Sequence, residues 1–253
     1  MPTTVPRDRI ESLWDREIDR FRRLRPRTAE LARRARAVMP KSVPMSWLAD
    51  TPDFPLIFAA TGEGTWFTDV DGHRYLDMNQ ADMSMNCGYG PPAVVRAAAE
   101  RVRQGSQFLL PTEDSIAVAE ELARRWGLPK WQFTLSASSA NAELIRVARY
   151  VTGRSRIVMF DGAYHGHVDD TLVKLVNGRV RPELHGLPER VTDETRIVPF
   201  NDLAALERAL APKDVACVLA EPAPTNCGVI LPEPGFLRGV RELTESVGTL
   251  LFL

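Results

Sequence analysis

Cysteine is scarce in these 253 residues: Cys87, Cys217 and Cys227 are all there are. Their spacing matches no zinc or iron–sulfur ligand set, and two sit in apolar surroundings. Reduced cytosolic thiols are therefore expected rather than a disulfide framework. Net charge is almost missing too, at -1, which removes any general electrostatic pull towards nucleic acid or an anionic membrane. No apolar run approaches the ~20 residues needed to span a bilayer. There is no Walker A loop, and no GxGxxG follows a strand-like run, so the two commonest nucleotide cradles are excluded. No internal repeat or low-complexity tract occurs. Lysine is rare as well, with only Lys41 in a connector, Lys130 in a turn, Lys174 in a helix-like stretch and Lys213 in a Pro-Lys-Asp turn.

What is present is ordinary for a soluble globular protein: 44% hydrophobic and 26% charged residues, in a chain long enough for a sizeable core. The arginine-rich start, "DREIDRFRRLRPRTAELARRARAVMP", is interspersed with Asp8, Glu11, Asp15, Glu17 and Asp19. Those acids argue against a transit peptide or a nucleic-acid arm, and favour a pair of solvated helices. Leu31, Ala35 and Val38 then share one face of the second helix. Residues 40–55 are proline-rich and read as an irregular connector. In "GTWFTDVDGHRYLDM", alternating side chains flank Asp71-Gly72, a dipeptide suited to the positive φ angles of a hairpin turn. An EF-hand reading of Asp69 and Asp71 fails, because the glycine and the closing glutamate are misplaced.

From about residue 91 the pattern changes. "PPAVVRAAAERVRQG" and "DSIAVAEELARRWG" read as helices. Strand-like runs then alternate with helices: "WQFTL", "RIVMF", "RIVPF", "DVACVLAEP" and, last, "TLLFL". Such alternation implies an α/β fold, a mainly parallel sheet flanked by helices. In open sheets of this kind, ligands bind beyond the carboxyl ends of the strands. After "WQFTL" come Ser136, Ala137, Ser138 and Ser139, which read either as an anion site at a helix mouth or as simple serine capping. After "RIVMF" comes "DGAYHGH", where Tyr164 offers a flat ring and His165 a polar neighbour. His165 and His167 lack a third ligand, so no metal site is expected. After "DVACVLA" come Glu221, which faces a cleft or pairs with a structural arginine, and Asn226. A phosphate cradle, an aromatic plate and a carboxylate–amide pair suit a flat, phosphorylated ligand.

These stretches together resemble the class III aminotransferases, pyridoxal 5′-phosphate (PLP) enzymes of fold type I, most of all the glutamate-1-semialdehyde aminomutase branch. The resemblance runs from about Leu31 to Leu253. It is carried by "DVDGHRYLDM", "SASSANAELIRVAR", "DGAYHGHVDD" and "EPAPTNCGVILPEPGFLRGVRELTESVGTLLFL". It implies that Ser136, Ala137 and Ser138 surround the cofactor phosphate and that Tyr164 stacks on the pyridine ring, with His165 beside it. Asn226 would reach the ring's phenolic oxygen, and Glu221 would line the site near the cofactor or a cross-site arginine. Two departures bear on substrate and subfamily: the usual Ser-Gly-Thr/Ser-Glu-Ala-Asn loop reads "SASSAN", and the usual Gly-His-x-His-Pro reads "GYGPP".

The resemblance further implies a helical arm and hairpin over residues 1–77, belonging to a small domain. Residues 78–253 would be the front part of the large PLP-binding domain, with the C-terminal portion absent. In the family an acidic residue follows the strand matching "TLLFL", and the Schiff-base lysine lies further on; none of the four lysines here matches it. The expectation is a truncated chain without a catalytic residue of its own, inactive alone, with an unpaired sheet edge and uncovered apolar helix faces. When complete, such an enzyme is a cytoplasmic homodimer moving an amino group between an amino acid and a keto or aldehyde compound. A mutase, epimerase or lyase would share the same residues. The alternative is a catalytically dead paralogue that docks to a partner subunit.

Overall fold

The computed structural model describes residues 6–49 and 55–253, in two compact units, Met1–Pro111 and Thr112–Leu253. The first unit opens with α1 (Arg7–Leu24) and α2 (Pro26–Arg36). α1 buries only Ile18 and Phe21 and carries exposed ion pairs such as Arg7–Glu11, the pattern of a solvated helix. In α2 the expected face is only partly used: Ala35 is buried and Leu31 half-buried, whereas Val38 lies past the helix end and is exposed. Of the expected connector, residues 50–54 lie outside the described residues; Pro40–Ser42 and Ser46–Ala49 form short 3₁₀ turns.

An antiparallel sheet follows, of β1 (Ala59–Glu63), β2 (Trp66–Asp69) and β3 (Arg74–Leu76). In the turn joining β2 to β3, Gly72 alone takes a positive φ, of 88°. The expectation that Asp71 shares this conformation is corrected. Its carboxylate instead accepts hydrogen bonds from the N–H groups of Arg27 and Thr28, at 2.7 and 2.9 Å. It therefore caps the first turn of α2, where unpaired N–H groups and the helix dipole favour a negative charge.

Asp69 ties the unit together. Its side chain is fully buried and faces Arg25 at 3.3 Å. It accepts hydrogen bonds from the Tyr75 hydroxyl at 2.8 Å and from the His73 and Asp71 N–H groups at 2.8 and 3.0 Å. Burial alone would raise its pKa; the bonds from Tyr75, His73 and Asp71, with the charge of His73, outweigh burial and hold it below the usual carboxylate range. A depressed folded-state pKa means stability that is present above the unfolded carboxylate pKa and lost as pH falls through the folded value. Asp69→Asn is expected to cost about 3 kcal/mol in urea denaturation at pH 7, because it removes the carboxylate facing the half-buried Arg25 and leaves that charge uncompensated. The difference from the parent chain should shrink below about pH 4. A variant as stable as the parent at pH 7 would contradict this account.

In the second unit a four-stranded sheet has the order β7-β4-β8-β9, all parallel: β4 (Arg156–Phe160), β7 (Thr195–Val198), β8 (Val215–Leu219) and β9 (Leu250–Phe252). β8 is buried throughout and β4 almost so, which is why both read as continuous apolar runs rather than alternating ones. Val158 and Phe160 point to one face, against α7 (Leu203–Leu210) and α8 (Phe236–Val247). Ile157 points to the other, against Ile145 and Ala148 of α5 (Ala137–Thr152). A shift of register between Arg156 and Ile157 turns both Ala216 and Cys217 to the α5 side. Burial pushes the Cys217 thiol up to about 12, so it is an inert part of the core. The expected α/β architecture, a parallel sheet flanked by helices, is what is seen.

Two local expectations are corrected. "WQFTL" is not a strand: residues 131–134 have no assigned secondary structure and join no ladder, with Phe133 and Leu135 exposed. An apolar run becomes a strand only where a neighbour offers backbone partners. Lys174 is not in a helix-like stretch but in an antiparallel hairpin, β5 (Val173–Val176) and β6 (Arg179–Pro182), turning at Asn177-Gly178. The remaining helices are α3 (Pro92–Arg103), α4 (Glu113–Trp126) and the short α6 (Arg190–Glu194). α3 and α4 bury none of their residues, and leave Val94, Val95, Ile116 and Trp126 exposed. Among the described residues, no helix is long and apolar enough to cross a membrane.

Candidate active site

Three loops meet at the carboxyl edge of the second unit's sheet. The first is the mouth of α5. Ser136 is its N-cap, accepting from the Ser139 N–H at 3.1 Å, so the capping reading holds for that serine. Capping settles only one of the orphan donors of the first turn. The N–H groups of Ala137 and Ser138 remain uncommitted among the described residues, and both residues have negative φ. Alanine in place of the usual glycine therefore leaves the backbone cradle intact. Two free donors at the positive end of a 16-residue helix are an arrangement that favours an anion.

The second loop follows β4 and is fastened over that mouth. The His167 N–H donates to Ser138 Oγ at 3.0 Å, and the Asn141 side-chain amide donates to the His165 carbonyl at 2.9 Å. Gly166, at φ 85°, sits so close that a Cβ there would lie 2.3 Å from Ser138 Oγ. The hydroxyl of Ser138 still has its proton to give. Side chains in the loop alternate: Tyr164 is half exposed, its ring edge-on to that of His167, while His165 is buried. Burial lowers the His165 pKa, and the nearby Glu221 carboxylate only partly offsets this, so the imidazole is neutral.

The third loop follows β8. Glu221 Oε2 accepts from the N–H and the hydroxyl of Thr225, both at 3.0 Å. The residue after Thr225 is Asn226, which is exposed. Cys227 packs against Gly162 of the β4 loop, where a Cβ would lie 2.8 Å from that of Cys227. No arginine among the described residues pairs with Glu221. Its Oε1 is buried without a partner, and so is His165 Nε2.

All seven residues expected from the sequence thus lie on three loops at one sheet edge. Asn141, Gly166 and Thr225 were not singled out, and His167 was weighed only as a metal ligand. Asn141 carries the one legible signal, because it sits three residues after Ser138 and so on the same face of α5. The edge offers an anion cradle, an aromatic face and two buried polar atoms with unmet bonding capacity, which is the donor set a flat phosphorylated ring requires. Among the described residues no group of three or more ligating side chains could hold a metal. A cleft of about 570 Å³ in the first unit, lined by Arg25, Thr28 and Arg36, holds none of these groups.

The fold and this edge define a PLP-dependent enzyme domain of fold type I. The chain superimposes on a glutamate-1-semialdehyde aminomutase from Pseudomonas aeruginosa with a TM-score of 0.92 at 42% identity, over 98% of this chain and 55% of that one. A second structure of that enzyme was solved in complex with PMP. A transaminase with PLP bound matches at 30% identity and a TM-score of 0.83, over 89% of this chain and 54% of that one. Residues 48–253 match the family model of class-III aminotransferases, and the chain belongs to that family. The glutamate-1-semialdehyde 2,1-aminomutase of Syntrophomonas wolfei is 37% identical over 233 residues, 89% of this chain and 54% of the relative. The chain spans about half the length of the curated relatives it matches.

Proposed function

We propose that residues 78–253 are the cofactor-binding front of an aminotransferase or aminomutase, and that residues 1–77 are the arm and hairpin of its small domain. The observation that carries this reading is the Ser138–His167 hydrogen bond. It joins the helix-mouth donors to the loop bearing the aromatic plate, two features that are separate in sequence and useful only together. Ala137 and Ser138 bind the phosphate of PLP through their N–H groups and the Ser138 hydroxyl. Tyr164 covers one face of the ring and excludes water from it. Asn226 donates to the phenolic oxygen, and Glu221 and His165 supply the polar floor. When bound, PLP withdraws electrons from the substrate's α-carbon and accepts its amino group. The residues here bind and orient; none is assigned the proton transfer. In this reading the whole enzyme acts on an amino acid and a keto or aldehyde compound, as a cytoplasmic homodimer.

PLP titration followed by quenching of protein fluorescence tests the reading. Saturable binding is expected, weakened about tenfold by Tyr164→Ala through loss of stacking, or about 1.4 kcal/mol. Inorganic phosphate should compete, and its own affinity should be nearly unchanged by the same substitution. Equal losses for PLP and phosphate would instead mark a generic phosphate site.

A second reading has its own support in the exposed apolar side chains of α3 and α4. Apolar side chains left exposed on a helix mark an interaction face, and each of the two helices carries its own. In that reading the chain is a catalytically silent subunit that docks to a complete one.

A further inference from the structure

The loop after β4 is fastened to α5 at His165 and His167, but it has a second fastening further along. Arg149 stands on α5 eleven residues beyond Ser138. Its guanidinium donates to both carboxylate oxygens of Asp170, at 3.1 and 2.9 Å, to Glu194 at 3.2 Å and to the Ser155 carbonyl at 2.7 Å. The Arg149 and Asp170 side chains are only 27% and 14% exposed, so this bidentate pair is not of the solvent-screened surface kind. Asp170 is also tied through its main chain, where its carbonyl accepts from the hydroxyl of Thr195, the buried first residue of β7, at 2.6 Å. The Thr171 hydroxyl donates to the Val168 carbonyl at 3.0 Å, so little slack is left between Asp170 and His167. Eleven residues of helix carry Arg149 about 16 Å past Ser138. The three residues from His167 to Asp170 span at most about 11 Å. The long arginine side chain, tilted towards the helix N-terminus, makes up the difference.

We propose that Arg149 is a positioning residue: by clasping Asp170 it fixes how far along α5 the β4 loop lies, and so keeps the His167 N–H on Ser138 Oγ at the helix mouth. The clasp depends on the planar fork of arginine, which meets Asp170, Glu194 and Ser155 at once, and not on charge alone. That the mouth takes the phosphate of PLP rests on the cofactor reading above; the clasp does not.

Hydrogen exchange of single amides in the full chain, at pH 7 without cofactor, tests the clasp. In Arg149→Met, which keeps an apolar stem but no fork, the His167 amide should exchange at least about tenfold faster than in the parent. The amides of Ile145 in α5 and Val158 in β4 should keep their rates. Arg149→Lys, which keeps the charge, should behave like Arg149→Met. Inorganic phosphate and PLP, titrated separately, should each bind about tenfold more weakly to both variants. Asp170→Asn breaks the clasp from the loop side, and decides where an Arg149 variant fails to fold. The double variant should be no worse than the worse single one, because both remove the same contact. Four results overturn the proposal: an unmoved His167 amide, full rescue by lysine, equal loss of protection at Ile145 and Val158, or phosphate affinity held at the parent value. A parent chain that binds neither PLP nor phosphate overturns the cofactor reading alone, and the exchange rates then decide the clasp.

Discussion

Given saturating PLP and an amino acid, the purified 253-residue chain is expected to bind the cofactor yet transfer no amino group. The reason lies in where its four lysines stand. Lys213 lies in the turn leading into β8, at the amino end of a sheet whose carboxyl end holds the candidate site. Lys174 is on the exposed side of the β5–β6 hairpin, cross-strand from Arg181. Lys130 is exposed in the loop after α4. Lys41 belongs to the other compact unit. None shares a loop with the helix mouth, the Tyr164 plate or Glu221. Without a positioned amine to act as nucleophile and proton carrier, a rate at least about 10³-fold below that of a complete relative follows. Two measurements check it. Keto-product formation should stay at the level of free PLP, and borohydride treatment followed by peptide mass spectrometry should leave no stoichiometric label on any one lysine. Turnover, or full labelling of a single lysine, would show that one of the four reaches the site after all.

Much of the second unit is legible in the sequence because its strands are buried on both faces. "RIVMF" and "DVACVL" can only be apolar throughout, and they are the two central strands. Where burial is one-sided, legibility fails. "WQFTL" is also rich in large apolar side chains but has no neighbouring strand to pair with, and composition says nothing about neighbours. The β5–β6 hairpin carried a readable signal, Asn177-Gly178 between short apolar runs, which the helix-like look of its flanks obscured. The cap that Asp71 places on α2 joins residues more than forty apart, and no local pattern encodes such a partner. At the candidate site, the rule that ligands gather beyond strand ends picked three stretches that the structure fastens to one another, one of them after a run that is no strand. It could not tell which way each side chain turns. That His165 points inward and Tyr164 outward follows from how the loop is fastened to Ser138 and Asn141, a tertiary fact.

That fastening gives the second large prediction. Gly166→Ala is expected to weaken PLP binding more than tenfold, although residue 166 touches no ligand in the proposed site. Two costs add. At φ 85° an alanine is forced into the left-handed region, at roughly 1–2 kcal/mol. Its Cβ would also lie 2.3 Å from Ser138 Oγ and 3.1 Å from Ser138 Cα, and the second of these is backbone that cannot turn aside. The loop or the first turn of α5 must then move, which breaks the Ser138–His167 bond and displaces the two free N–H groups. Gly178→Ala supplies the matched control. Its φ is 72°, with nothing within 4 Å of the added Cβ, so it carries the backbone cost without the collision. Both variants should lose roughly 1 kcal/mol or more in urea denaturation, but only Gly166→Ala should lose the cofactor. Equal PLP affinities in the two variants would mean that the β4 loop does not shape the phosphate cradle, and that the bond from His167 to Ser138 is incidental to binding.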